Sequence, residues 1–280
     1  MLRVTVIVPT YNEEQTILEI LRRVRAQSLP QVELEIVVID DGSKDRTVAL
    51  LEANVGLYDK LVRQPRNSGK GAAVRAGLAH ATGEFVLFQD ADLEYDPADY
   101  HKLMEPVIRF NADVVIGSRM LASPWTRVHY FWHKQGNQLL TLIFNFLFNT
   151  TFTDTYSCYL LYRRSLLDHN ELQSDGWEQH AEILCRVVPR AEARYEVAIS
   201  YAGRTYEQGK KIRAHHALAV LRMIVKRRLA LFWDALSSGR RPTAAAAPRT
   251  RLSDGVEEVR SSASLSRSAD DAGSSQSSDP

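Results

Sequence analysis

The sequence predicts an α/β protein built on a doubly wound, mostly parallel sheet, and three observations carry that expectation. Short apolar or β-branched runs alternate with amphipathic helical stretches between residues 4 and 116, the order that builds parallel sheets. Several of those runs are apolar throughout, as in strands buried on both faces. Four of them end in polar loops, at 9–13, 40–43, 90–94 and 117–119. Right-handed crossovers gather such ends along one edge, where open α/β sheets bind ligands.

In chain order, the β-branched run 4–8 is the first strand, closed by Pro9. A helix follows from Thr16, with Ile17, Leu18, Ile20, Leu21 and Val24 as its apolar stripe. Asn12 with Gln15, or Thr10 with Glu13, has the spacing of a helix cap. Residues 35–39 form a second strand, stopped by Asp40-Asp41-Gly42-Ser43, and Asp45-Arg46-Thr47 leads into a second helix. After a short strand at 61–63, the loop Asn67-Ser68-Gly69-Lys70-Gly71 enters a helix over 72–81. Glycines flanking a lysine before a helix let the backbone approach an anion beside a positive charge, although the spacing is not that of a Walker A loop and a plain turn reads the same.

The stretch 85–94 holds the central motif. Phe85-Val86-Leu87-Phe88 is a buried strand, and Gln89-Asp90-Ala91-Asp92 follows it. In an extended chain Asp90 and Asp92 face the same way. Two hard oxygen ligands there suit Mg²⁺ or Mn²⁺ on a diphosphate, although a bare Asp-x-Asp is also what a solvated acidic turn looks like. A helix over 99–110, opened by Pro97, precedes a strand at 113–116.

The second half changes character. Residues 125–134 mix aromatics and bases. In a helix over 137–148, Leu139, Leu140, Ile143, Phe144, Leu147 and Phe148 share a side, which either packs on the sheet or lies in a membrane interface. An acidic turn at Asp154 leads into a strand within 154–164, a helix over 177–188 carries Glu178 and Glu182 one turn apart, and 195–201 reads as a strand. A basic loop at 203–212 precedes a helix over 213–236. There Leu218, Leu221, Val225, Leu229 and Phe232 form a stripe and Arg222, Lys226, Arg227 and Arg228 add charge. Such a helix suits an anionic membrane surface, or a solvated charged face over a core-facing stripe. From 237 to 280 the composition falls to Ser, Ala, Arg, Asp and Gly, which cannot bury a core, so a disordered tail is expected.

Composition bounds the function. The chain has 280 residues, 45% hydrophobic and 25% charged, with a formal net charge of +1, which argues against a nucleic-acid-binding surface. Cys158 and Cys185 are too isolated for a disulfide framework or a zinc site. The amino terminus enters a strand with no leader pattern, and no apolar run of ~20 residues suggests a membrane span. A cytoplasmic location is the expectation, with contact at the cytoplasmic membrane face if the basic helix meets lipid.

Taken together, Val8-Pro9-Thr10-Tyr11-Asn12-Glu13, Val38-Ile39-Asp40-Asp41-Gly42-Ser43, Asn67-Ser68-Gly69-Lys70-Gly71, Gln89-Asp90-Ala91-Asp92 and Gly117-Ser118-Arg119 closely resemble family 2 glycosyltransferases of the GT-A fold. The subgroup most similar is the dolichol/polyprenyl-phosphate sugar transferases, over about residues 3–230. The resemblance implies a GT-A domain over 1–212, with a nucleotide-sugar half at 1–120 and an acceptor half at 121–212. It implies a nucleotide-sugar site of Pro9, Thr10, Tyr11, Glu13 and Asp41 with Lys70, Asp90 and Ala91. Asp90 and Asp92, joined by Glu94, would hold Mg²⁺ or Mn²⁺. Asp92, Arg119, Asp154 and Glu182 would stand at the reacting centre, and Arg119, Arg204, Lys210 and Lys211 would meet the acceptor phosphate. Two departures bear on the sugar or acceptor: Thr155-Tyr156-Ser157-Cys158 lacks an acid many relatives have before the cysteine, and His180 stands where many carry an acid.

The implied reaction is an inverting transfer from a nucleotide sugar to a lipid phosphate. With a hydroxyl acceptor, as in cell-wall or capsular glycan synthesis, a carboxylate must take a proton, and Asp154 or Glu182 is the candidate. A non-catalytic nucleotide-binding protein is a further alternative, which the intact Asp90/Asp92 pair speaks against.

Overall fold

The computed structural model describes residues 1–121, 131–203 and 216–238. The strands are β1 (Leu2–Thr10), β2 (Val32–Asp40), β3 (Lys60–Arg63), β4 (Phe85–Phe88), β5 (Val114–Ser118), β6 (Leu160–Arg163) and β7 (Arg194–Ala198). They form one seven-stranded sheet in the order β3-β2-β1-β4-β6-β5-β7. The helices are α1 (Ile17–Arg25), α2 (Thr47–Glu52), α3 (Lys70–His80), α4 (Tyr100–Phe110), α5 (Phe131–Phe148), α6 (Gln179–Arg190) and α7 (His216–Ser238).

The β1–β2, β1–β4, β2–β3 and β5–β7 pairs are parallel, and β6 runs antiparallel to both neighbours. The alternating pattern predicted a mostly parallel sheet, and the reversed strand is the exception. Apolar runs such as Leu160-Leu161-Tyr162 specify burial on both faces but not direction. Because β6 opposes both β4 and β5, those two point the same way, and the loops after β1, β2, β4 and β5 share one edge, as expected. Val4, Val6, Ile7, Val8, Ile36, Val37, Val38 and Ile39 are fully buried, each side chain contributing about 1.5–3 kcal/mol. α3 packs flat on β1 and β2 because Gly77 has no side chain where a Cβ would meet Ile7 and Ile39 at 2.7 Å.

Several local expectations are corrected. β1 does not stop at Pro9 but continues to Thr10, with Pro9 paired to Ile39. The β4 ladder ends at Ile7↔Phe88, so Pro9 lies where β1 has one neighbour and its missing N–H costs little. No side chain caps α1. Asn12 takes a left-handed φ of 52°, accepts from the Lys44 N–H at 2.8 Å and is held by the Ser43 hydroxyl at 2.9 Å. Thr10 turns its hydroxyl to the Val8 carbonyl, and Glu13 accepts from Thr16. The polar loop of β1 is thus laced to that of β2 instead of to its own helix.

The two long helices also differ from their predicted stripes. In α5, Leu140 and Phe144 are buried, Phe144 stacks on Phe148 with ring centroids 4.5 Å apart, and Asn145 ties down the Phe152 backbone. Leu139, grouped with them on one side, is instead 57% exposed, with Leu142 and Phe146 exposed beside it. In α7 Val220 and Ile224 meet the domain, with Leu221 of the predicted stripe partly buried against it, while Leu218, Val225, Leu229 and Phe232 face outward. The heavily apolar sequence admits either face, and packing chose the one centred on the smaller Val220. α7 also runs through Ser238, past the expected start of the tail; residues 239–280 lie outside the described residues, as do 122–130 and 204–215.

Candidate active site

The site is assembled at the carboxyl edge of β1, β2, β4 and β5. Thr10 pairs with Asp40 in the ladder, and the Asp41 N–H donates to the Thr10 carbonyl at 2.9 Å. Asp40 is buried; one of its oxygens accepts from the Gly42 and Ser43 N–H groups at 3.1 Å, and Oδ1 has no partner. Asp41 accepts the Ser68 and Gly69 N–H groups at 2.9 Å. Burial, with Asp40 adjacent, outweighs those two donors and raises its pKa. The Asp41 carboxylate is therefore the seat of the glycine–lysine loop, a role the sequence did not suggest.

That loop is set by close backbone approach. Gly69 has φ +99°, and a Cβ there or at Gly71 would run into the backbone of Ser174 and Asp175. The Gly71 N–H donates to the Asp175 carbonyl at 2.8 Å. Lys70, at the first position of α3, is thereby aimed across the edge: its Nζ lies 2.5 Å from Asp90 and 5.2 Å from the Trp177 ring centroid. Burial alone would push the Lys70 ammonium down and the Asp90 carboxylic acid up, but each is offset by the other's charge, leaving Lys70 raised and Asp90 lowered. Both are ionised at neutral pH. The Cys158 thiol also hydrogen-bonds Asp90, and burial pushes that thiol up.

The chain leaves the extended form directly after Phe88, so Asp90 and Asp92 lie in a turn and not on one strand face as the extended reading had it. Gln89 fixes that turn: its amide accepts Tyr100 and Tyr159 hydroxyls at 2.7 and 2.9 Å and donates to the Asp90 carbonyl at 3.0 Å. Leu93 takes φ 61°, and Asp92 accepts the Glu94 N–H at 3.1 Å. Glu94 accepts the Tyr201 hydroxyl at 2.8 Å. Ala91 is buried. Pro9, Tyr11 and Glu13 line the neighbouring loop, half-buried.

On the far side, Arg119 and Asp154 form a bidentate pair, Nε–Oδ2 2.7 Å and Nη2–Oδ1 2.9 Å, with Asp154 also accepting the Arg119 N–H at 3.1 Å. The guanidinium also donates to the Tyr156 carbonyl and sits 5.1 Å from the Tyr201 ring centroid. Burial would raise the Asp154 pKa, but Arg119 outweighs it and holds the carboxyl low. An ionised carboxylate with both oxygens on one guanidinium is poorly placed to be the general base the sequence offered.

Glu182 is also placed differently from its assigned role. It is buried, one oxygen accepting the Gln173 and Ser174 N–H groups at 3.1 and 2.9 Å, the other facing Arg186 at 3.3 Å and Arg227 at 3.5 Å. It anchors α7 and the 173–175 loop that receives Gly71. Arg204, Lys210 and Lys211 lie outside the described residues. The sequence reading passed over Tyr95, Trp177, Glu196 and Tyr201, which hold the site together. Glu196, for instance, accepts the Thr153 and Asp154 N–H groups at 2.9 and 3.0 Å. Nothing in their spacing marks them, because their contacts cross 21 to 107 residues of chain.

The carboxylates fit a divalent cation chemically: hard oxygens, with Asp90 ionised beside the half-buried Lys70 ammonium. Among the described residues no group of three or more His, Cys, Asp or Glu side chains forms a metal cage. A cation held by one or two carboxylates would complete its shell from substrate phosphates and water, the usual arrangement for Mg²⁺.

Comparison with known proteins places this geometry. The profile of "Glycosyl transferase family 2" matches residues 5–170. A dolichyl-phosphate β-glucosyltransferase of Trichomonas vaginalis is 37% identical over 138 residues, 45% of this chain and 42% of that protein. An undecaprenyl-phosphate 4-deoxy-4-formamido-L-arabinose transferase of Sodalis glossinidius is 32% identical over 171 residues, 59% of this chain and 50% of that protein. The chain thus spans half or less of the length of these curated relatives. Among solved structures, glucosyl-3-phosphoglycerate synthase of Mycobacterium tuberculosis, in complex with Mn²⁺, UDP-glucose and phosphoglyceric acid, superposes with a TM-score of 0.61 at 19% identity, covering 81% of this chain and 80% of that one. That likeness establishes the fold, the GT-A type.

Replacing Asp154 by Asn leaves Arg119 buried without a counter-charge, and should cost about 3–5 kcal/mol of stability in denaturant unfolding. Because the folded pKa lies below the ordinary value of 3.8, the wild-type advantage is complete at neutral pH and disappears as pH falls through the folded value. An unchanged unfolding midpoint at pH 7 would remove the pair from the account.

Proposed function

The chain belongs to glycosyl transferase family 2, and on that premise we propose that it moves a sugar, with inversion, from a nucleotide sugar to a lipid phosphate of the polyprenyl type. The observation that carries the acceptor is the commitment of both candidate bases. Asp154 is taken by Arg119, and Glu182 by backbone N–H groups and two arginines. A hydroxyl acceptor needs a base, whereas a phosphate monoester is already an anion and needs none. Relatives named for dolichyl- and undecaprenyl-phosphate transfer agree with this reading.

In this reading Pro9, Thr10, Tyr11, Glu13 and Asp41 frame the nucleoside. Lys70, Asp90 and Ala91 meet the diphosphate, and Asp90 and Asp92, with Glu94 adjacent, hold Mg²⁺ or Mn²⁺. When bound, that cation supplies charge neutralisation on the departing diphosphate. Lys70, fixed by its glycines, presents a second positive charge to the same oxygens without reorganising. Arg119, kept in one orientation by Asp154, faces the acceptor phosphate, with Arg204, Lys210 and Lys211 reading as further phosphate contacts. An acceptor oxygen attacks the anomeric carbon. The bond from that carbon to the diphosphate oxygen breaks, and the nucleoside diphosphate leaves with the electron pair. Residues 1–120 then serve the donor and 121–212 the acceptor.

The outward faces of α5 and α7 support contact with a lipid surface. Leu142, Phe146, Leu218, Leu229, Phe232 and Trp233 are exposed, and Arg222, Lys226 and Arg228 stand exposed among those of α7. No helix among the described residues is long and apolar enough to cross a membrane. We read residues 213–236 as a peripheral anchor at the cytoplasmic face.

A panel of nucleotide sugars with Mg²⁺ or Mn²⁺ and a short polyprenyl phosphate tests the reaction, reading nucleoside diphosphate and glycosylated lipid. One donor should turn over, and Asp92→Ala should lower kcat/KM by about 10²-fold or more, as loss of a charge-stabilising group does. Transfer to sugar hydroxyls in preference to the lipid phosphate would overturn the acceptor. In flotation with anionic vesicles, the full chain should rise with lipid and Leu229→Glu/Phe232→Glu should stay behind. Equal recovery of the two would rule out α7 as the anchor.

A further inference from the structure

Among buried polar groups of the described residues, His180 has no assigned partner at Nε2, and the mechanism above makes no use of it. Buried polar atoms in folded proteins are paired almost without exception, by protein, water or a bound group, so an orphan beside a reacting centre is a candidate contact for substrate. His180 sits in the first turn of α6, its ring edge-on to Tyr156 with centroids 5.8 Å apart. The hydroxyl of Tyr156 donates to the Trp177 carbonyl at 2.9 Å, and no protein atom pairs with the imidazole Nε2. The ring packs on Tyr156, whose carbonyl accepts from Arg119, the partner of Asp154. The Tyr156 hydroxyl meets the carbonyl of Trp177, the ring beneath Lys70, the partner of Asp90. The imidazole thus bridges the Lys70–Asp90 pair and the Arg119–Asp154 pair. In the reading given above, the first pair marks the departing diphosphate and the second the incoming phosphate. What lies between a leaving group and an attacking oxygen is the sugar being transferred.

We propose that His180 is a specificity-determining residue whose Nε2 hydrogen-bonds a hydroxyl of the transferred sugar. This inference rests on the donor reading of the previous section. A sugar hydroxyl fits better than a phosphate for two physical reasons. First, burial, with Lys70 nearby, pushes the imidazole down to about 4, so it is neutral at working pH and makes one ordinary hydrogen bond, as donor or acceptor by tautomer. A phosphate would be served by a cation, and Lys70 and Arg119 already stand on either side. Second, a buried site that must pair a hydroxyl rejects an analogue lacking it far more strongly than an apolar pocket rejects a missing methylene. An unpartnered imidazole nitrogen is such a site. Ser157, whose buried Oγ is also unpartnered, lies one residue from the Cys158 that contacts Asp90, but its hydroxyl can turn to suit any neighbour and carries less information.

The test is a cycle between the protein and the donor. The donor that the chain binds, its singly deoxygenated analogues and the bare nucleoside diphosphate are titrated against wild type, His180→Phe and His180→Gln, without acceptor. Thermal unfolding of each variant accompanies the titrations. Wild type should lose about 10- to 100-fold in affinity for one deoxy donor. His180→Phe should lose a similar factor on the parent donor and show no further loss on that deoxy donor. His180→Gln, which keeps a donor and an acceptor, should recover part of the loss. Binding of the nucleoside diphosphate should be the same in all three.

Full discrimination retained by His180→Phe would overturn the inference. So would a parallel fall in nucleoside diphosphate binding, which marks a structural role. Failure of wild type to bind any nucleotide sugar would instead overturn the donor reading, and this inference with it.

Discussion

The ion pair between Lys70 and Asp90 is the contact around which the rest is arranged. It joins the start of α3 to the end of β4, two elements that never meet in the strand ladder. It exists because the backbone of 174–175 comes close enough to exclude any side chain at residues 69 and 71. That backbone is in turn pinned by Glu182, which also faces Arg227 of α7. A continuous set of contacts therefore runs from α7 to the Lys70–Asp90 pair at the sheet's edge. The apolar outer face of α7 and the carboxylate at residue 90 are two ends of one packed structure.

The second pair, Arg119 with Asp154, is built differently. It is nearly dry, bidentate, and braced by Tyr156, Tyr201 and Glu196 through the 153–154 backbone. Its consequence is chemical: a carboxylate locked on a guanidinium orients that cation and gives up its basicity. Fixed positive groups thus stand at Lys70 and Arg119, and the two carboxylates the sequence offered as bases, Asp154 and Glu182, are both committed to other partners. That distribution suits a displacement between two anions.

Much of this was legible in the sequence, for identifiable reasons. Continuous apolar runs gave the strands, and the polar residues after them gave the edge where the loops meet, because both are set by local pattern. The glycine–lysine loop and Gln89-Asp90-Ala91-Asp92 were recognisable because backbone approach and paired carboxylates restrict residue type. What was not legible depended on long-range packing. The reversed direction of β6 leaves no trace in composition. The face α7 presents to the domain could not be chosen when Val220, Ile224, Leu218 and Leu229 are all apolar. Glu182 came as a site acid from the family resemblance, and the partners that hold it, up to 45 residues away, leave no local signal. Asn12 had the spacing of a cap yet serves a neighbouring strand's loop.

The central claim is that the turn after β4 grips a nucleoside diphosphate with the help of a divalent cation. Calorimetric titration of UDP and GDP into the full chain, with Mn²⁺ and again under chelation, tests it most directly. The account predicts that one of the two binds about tenfold or more tighter with the cation, and that Asp92→Ala, which leaves the Lys70–Asp90 pair in place, abolishes that gain. Equal affinity with and without the cation, in a chain that binds the nucleotide, would contradict it.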